Sequence, residues 1–124
     1  MDAARQDREA RRKELLKELS ELLVEEQVEQ GVFLETPHYS IIERQAITLG
    51  RELSRQAQER SAREIAASCA AEVACPTCQA LCRVLTKTRR ITSLDGPVKL
   101  TETTAHCDRC RRSFFPSAGK TGNR

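Results

Sequence analysis

Apolar positions in the first quarter of the chain recur at helical spacing. Leu15, Leu16, Leu19, Leu22, Leu23 and Val28 follow three- and four-residue steps, which predicts an amphipathic helix over residues 4–30. Asp7 with Arg11 and Glu9 with Lys13 are i,i+4 charge pairs on its polar face, and Gly31 is a C-terminal stop. The stretch VFLETPHY reads as a connector. Ser40 followed by Glu43 is a capping box, with Thr36-Pro37 as an earlier competing start. A second helix is expected over 40–72. Its apolar face runs through Ile42, Ala46, Leu49 and Leu53, then through Ala62, Ile65, Ala66, Cys69 and Val73. Neither helix can bury its stripe alone, so the short connector predicts an antiparallel helical hairpin, which could also form a homo-dimer. Gly50, inside the second helix, either admits a close approach of the first or is merely tolerated.

After Val73 the period changes. LCRVLTKT alternates and is rich in β-branched residues, and RRITSLDGPVKLTETTAH carries Asp95-Gly96 as turn residues with Pro97 behind them. A strand is expected around 81–87, with hairpin arms near 89–94 and 98–106. The fold class is therefore small α+β: a helical hairpin over 1–74, a three-stranded antiparallel module over 75–116, and a small, polar, disordered tail over 117–124.

Composition narrows the chemistry. The N-terminus is charged throughout and lacks the apolar core of a signal peptide, and no apolar run approaches the roughly 18–20 residues a membrane span needs. This predicts a cytoplasmic chain without a membrane partner. In reducing cytosol, six cysteines (Cys69, Cys75, Cys78, Cys82, Cys107 and Cys110) favour metal over disulfides.

Their spacing is specific. Cys75-Pro-Thr-Cys78, then 28 residues, then Cys107-Asp-Arg-Cys110 makes two knuckles that aim four sulfurs at one ion. Four thiolates suit one structural Zn²⁺ in a zinc ribbon, with no coordination place left for water. The 42 residues from Cys75 to Pro116 are few for a free-standing core, so metal binding should be coupled to folding. Cys82 and His106 are alternative ligands, otherwise a half-buried thiol on the first strand and a surface histidine. Cys69 reads as a small apolar residue on the second helix.

Charge divides the chain. Residues 1–74 carry a net −4 and residues 75–124 a net +7, or +5 with a tetrathiolate zinc site. Arg83, Lys87, Arg89, Arg90, Lys99, Arg109, Arg111 and Arg112 interleave with the expected strands, which points to contacts with DNA phosphates. No recognition helix for base reading is evident. Gly119-Lys120-Thr121 is not a phosphate-binding loop, because Phe114 stands where that loop requires glycine.

The ordered set of a long charged helix, LGRELSRQ, CPTC, RRITSLDGPVKLTETTAHC and CDRCRRSFFP resembles the N-terminal region of bacterial insertion-sequence transposases of the ISKra type, over roughly residues 40–116. The resemblance implies Cys75, Cys78, Cys107 and Cys110 as zinc ligands and a role in DNA binding or transposase assembly. In that family an acidic-residue catalytic domain follows the FFP segment. Here only SAGKTGNR follows Pro116, so a truncated or frame-shifted copy, or a standalone remnant, is expected. The chain is accordingly read as a non-catalytic DNA-binding zinc ribbon with helices for oligomerisation, without a small-molecule substrate. The alternative is a zinc-stabilised protein-interaction adaptor that does not bind DNA.

Overall fold

A computed structural model describes residues 2–34 and 38–116. The Thr36-Pro37 start, the 117–124 tail and Gly119-Lys120-Thr121 lie outside the described residues. Two helices, α1 (Asp2–Glu29) and α2 (Tyr39–Ala67), precede four strands: β1 (Glu72–Ala74), β2 (Leu81–Ser93), β3 (Gly96–Cys107) and β4 (Arg112–Phe114). The chain forms two compact units, residues 1–48 and 49–124, so the division falls inside α2.

In the first unit α1 ends as its sequence requires. Gly31 takes φ +78, its N–H donates to Val28 O at 3.1 Å, and Val32 N–H donates to Gln27 O at 3.0 Å. This is a Schellman closure, which favours glycine at the left-handed position. Gln27 is buried and its Nε2 donates to Gln45 Oε1 of α2 at 2.6 Å, tying the helical hairpin near its turn. The start of α2 differs from expectation. His38, not Ser40, is the N-cap: its Nδ1 accepts the Ser40 N–H at 3.2 Å, with Ser40 Oγ 2.9 Å away.

In the second unit the sheet is a four-stranded antiparallel meander in the order β1-β2-β3-β4, one strand more than expected. The strand expected at 81–87 and the arm expected at 89–94 are one continuous β2. It pairs with β3 from Val84↔Ala105 to Ser93↔Gly96. The turn residues are Leu94 and Asp95 rather than Asp95 and Gly96; Gly96 opens β3 with φ +114, a conformation that suits glycine. The short flanking strands are the unexpected ones. β1 forms because α2 stops at Ala67 instead of 72: Ser68 Oγ donates to Ile65 O at 2.8 Å and Cys69 N–H to Ala66 O at 3.2 Å. Cys69 therefore lies beyond the helix. Val73 joins the sheet opposite Cys82 and packs against the cysteine cluster, a tertiary gain that overrides the helix propensity of Ala-Ala-Glu.

Within this unit α2 guards the open edge of β3. Glu59 Oε2 accepts the Lys99 N–H at 2.9 Å, Arg55 Nη1 donates to Asp95 O at 2.9 Å, and Ser54 Oγ donates to Asp95 Oδ2 at 2.5 Å. By strand alternation Pro97 faces the same edge as the Lys99 amide, where a missing N–H costs no ladder bond. Glu59 thus satisfies a donor that would otherwise template edge pairing. Among the described residues, nothing lies within 4 Å of a Cβ added at Gly50.

Candidate metal centre

Each CxxC occupies the loop beside a short flanking strand. The first links β1 to β2 and the second links β3 to β4. The pairings Val73↔Cys82 and Ala105↔Phe114 bring the loops to the same end of the sheet. There the Sγ atoms of Cys75, Cys78, Cys107 and Cys110 all lie within 4.8 Å of one another and can hold a metal ion. Cys75 and Cys110 sulfurs are 3.8 Å apart, and those of Cys78 and Cys107 are 3.5 Å apart. Cys107 is only 1% exposed, and Val73, Val84, Ala105 and Phe114 surround the cluster.

The two loops repeat one another. Thr77 N–H donates to Cys75 Sγ and Cys110 N–H donates to Cys107 Sγ, each at 3.4 Å. The residue after the second cysteine is left-handed in both: Gln79 at φ 68 and Arg111 at φ 55. The sequence does not mark either position as left-handed. Their signal is positional, the first residue after each CxxC, and neither is the glycine that would advertise it.

The amides set the thiol acidities. Backbone N–H donation by Cys78, then Thr77, lowers Cys75 to about 6, and the Cys110 amide chiefly lowers Cys107. Hydrogen bonding to Cys78, with burial, pushes Cys110 up to about 12. The backbone amides thus favour the ionised form of Cys75 and Cys107, while Cys110 is held toward its protonated form.

The two alternative ligands fall outside this cluster. Cys82 is buried beside it, yet its Sγ donates to Ala80 O at 3.4 Å and burial raises its thiol to about 11. His106 is exposed and turned away, with Nδ1 3.1 Å from Ser113 Oγ and Nε2 3.8 Å from Asp108 Oδ1. Phe114 packs on the cluster, whereas Phe115 is 73% exposed and lines a groove of about 290 Å³ with Ala62, Ile65 and Leu100.

All eight basic residues are exposed, but strand register divides them between faces. Arg90 stands opposite Lys99, on the β2–β3 face that carries Val84, Ala105 and Cys107. Arg83, Lys87 and Arg89 lie on the other face, each near an acid. Arg83 is opposite Glu72 and Lys87 opposite Glu102, while Arg89 Nη2 meets Glu102 Oε2 at 2.8 Å. This ion pair raises Arg89 and lowers Glu102 from their usual ranges. Arg109, Arg111 and Arg112 surround the second knuckle, Arg112 opening β4 opposite Cys107.

The fold and the sulfur cluster define a small antiparallel sheet module with four cysteines placed so that they could hold a metal ion. No protein-family model, curated protein or solved structure matches the chain. No helix among the described residues is long and apolar enough to cross a membrane.

Proposed function

We propose that this chain is a non-catalytic DNA-binding module stapled by one structural Zn²⁺, with α1 as an assembly arm. The observation that carries the reading is the convergence of four cysteine sulfurs from two structurally repeated loops. A tetrahedral tetrathiolate zinc with Zn–S near 2.3 Å has sulfur–sulfur edges of about 3.8 Å. The separations of 3.8 and 3.5 Å agree with that edge. With all four positions taken by cysteine, no place remains for a reacting water, so the ion supplies folding energy rather than hydrolysis.

DNA binding rests on charge. Arg90 faces Lys99 directly across the ladder, a like-charge pair whose two side chains are both exposed. Arg109, Arg111 and Arg112 add exposed positive charge around the second knuckle. Kinship with insertion-sequence transposases belongs to the same proposal and rests on the LDGPV turn and the CDRCRRSFFP segment.

The test is metal analysis followed by duplex DNA retention across a salt series. We expect one zinc per chain and binding that weakens steeply with salt. Removing Arg90 and Lys99 together should reduce the log–log salt slope by about two. Failure of the zinc-loaded protein to retain duplex at low salt overturns the DNA reading. The half-exposed leucines of α1 favour a second reading, an adaptor without DNA binding. A stable protein complex lost on replacing Leu19 and Leu23 with Glu, with no DNA retention, would select it.

A further inference from the structure

Three leucines of the α1 stripe are left substantially open: Leu15, Leu16 and Leu22 are 48%, 50% and 56% exposed. Leu19 and Leu23 of the same stripe are half-buried. Charge flanks this stripe asymmetrically. Residues 2–13 hold five bases and three acids, whereas residues 14–29 hold one base and six acids. The last turn carries Glu26 and Glu29 and no base, so acidic charge is added to the negative end of the helix dipole. Arg12 and Glu26 lie seven residues before and after Leu19, each displaced from its line on the helix by only about 20°.

We propose that α1 pairs antiparallel with α1 of a second copy of this chain, across a two-fold axis at Leu19. The proposal rests on the assembly role given to α1 above and names its partner and orientation. An axis at Leu19 sets Leu15 against Leu23 and Leu16 against Leu22, so the open Leu16 and Leu22 cover one another and the open Leu15 is covered by the half-buried Leu23. It also sets Arg12 against Glu26 twice, because an isologous contact repeats every pair. Each basic half then lies on an acidic half, and the acidic last turn meets the partner's positive segment instead of facing its own dipole unaided. A parallel pair would place Arg12 on Arg12 and Glu26 on Glu26. Charge therefore selects the antiparallel arrangement, while the leucines supply the apolar contact.

The test uses the full chain loaded with zinc, in sedimentation equilibrium at about 0.15 M ionic strength, where charges are screened beyond about 8 Å. The wild type should be a dimer. Arg12→Glu and Glu26→Arg, both at exposed positions, should each raise the dissociation constant about tenfold. The double variant should return it to the wild-type value, because the swapped pairs attract again. Leu19→Glu should give monomer with its metal content unchanged, which separates lost pairing from lost folding. A dimer indifferent to both charge reversals, or one that the double variant does not rescue, overturns the antiparallel pairing and leaves the assembly role standing. A metal-loaded wild type that stays monomeric at every concentration overturns both.

Discussion

Replacing Gln79 by glycine should strengthen the metal centre, although glycine usually weakens a fold. Gln79 sits at φ 68, the conformation that Arg111 repeats at φ 55 in the other knuckle. Holding an L-residue there costs about 1–2 kcal/mol. Glycine avoids that cost but loses about 0.5–1 kcal/mol more backbone entropy on folding. The net gain is about 0.5–1 kcal/mol per site. The Gln79 side chain is exposed, so little packing is lost to offset it. Gln79→Gly with Arg111→Gly should together gain about 1–2 kcal/mol, a factor of about 5–30 in the folded ratio. Since folding and metal binding are coupled in the proposed zinc module, the gain appears as tighter apparent affinity in a competition titration against a chromophoric chelator. The diagnostic is the order at position 79: glycine tightest, glutamine and alanine alike, valine weakest, because a β-branched residue is least tolerant of positive φ. A glycine variant that binds more weakly than wild type, or a valine variant that binds as well, would refute the reasoning.

Cys82→Ala should keep one metal per chain by elemental analysis, whereas Cys107→Ser should lose it, since only the latter sulfur belongs to the cluster. Apparent metal affinity should rise with pH from about 6 toward 12. Cys75 is already ionised above the lower limit, and the metal must displace the proton that Cys110 holds up to the upper one; isothermal titration in buffers of different ionisation enthalpy reads the protons released. Gly50→Ala should stabilise α2 by about 1 kcal/mol, because an added Cβ meets nothing within 4 Å, and a raised Tm with unchanged metal content checks it.

The four-cysteine cluster and the two helices were legible in the sequence because their signals are local. A CxxC knuckle brings its two sulfurs together through adjacent backbone, and a leucine repeat states its own helical face. Gly31 likewise announced the end of α1, since a Schellman closure needs only the residues beside it. The same local logic failed at residues 68–74, where helix-forming alanines yield to pairing between Val73 and Cys82, partners nine positions apart across a loop. It could not see β4, a three-residue strand whose existence depends on β3 beside it. Nor could it see that bases adjacent in sequence, such as Arg89 and Arg90, separate onto opposite faces once register is set. The partner of α2 was also decided in three dimensions. Ser54, Arg55 and Glu59 read as an ordinary polar helix face until the hairpin turn and the Lys99 amide arrive opposite them. Sequence by itself determined which atoms can bind a metal and which segments coil. Tertiary structure decided which edges close, which side chains share a face and where two left-handed residues are required, because each depends on residues the chain brings together only by folding.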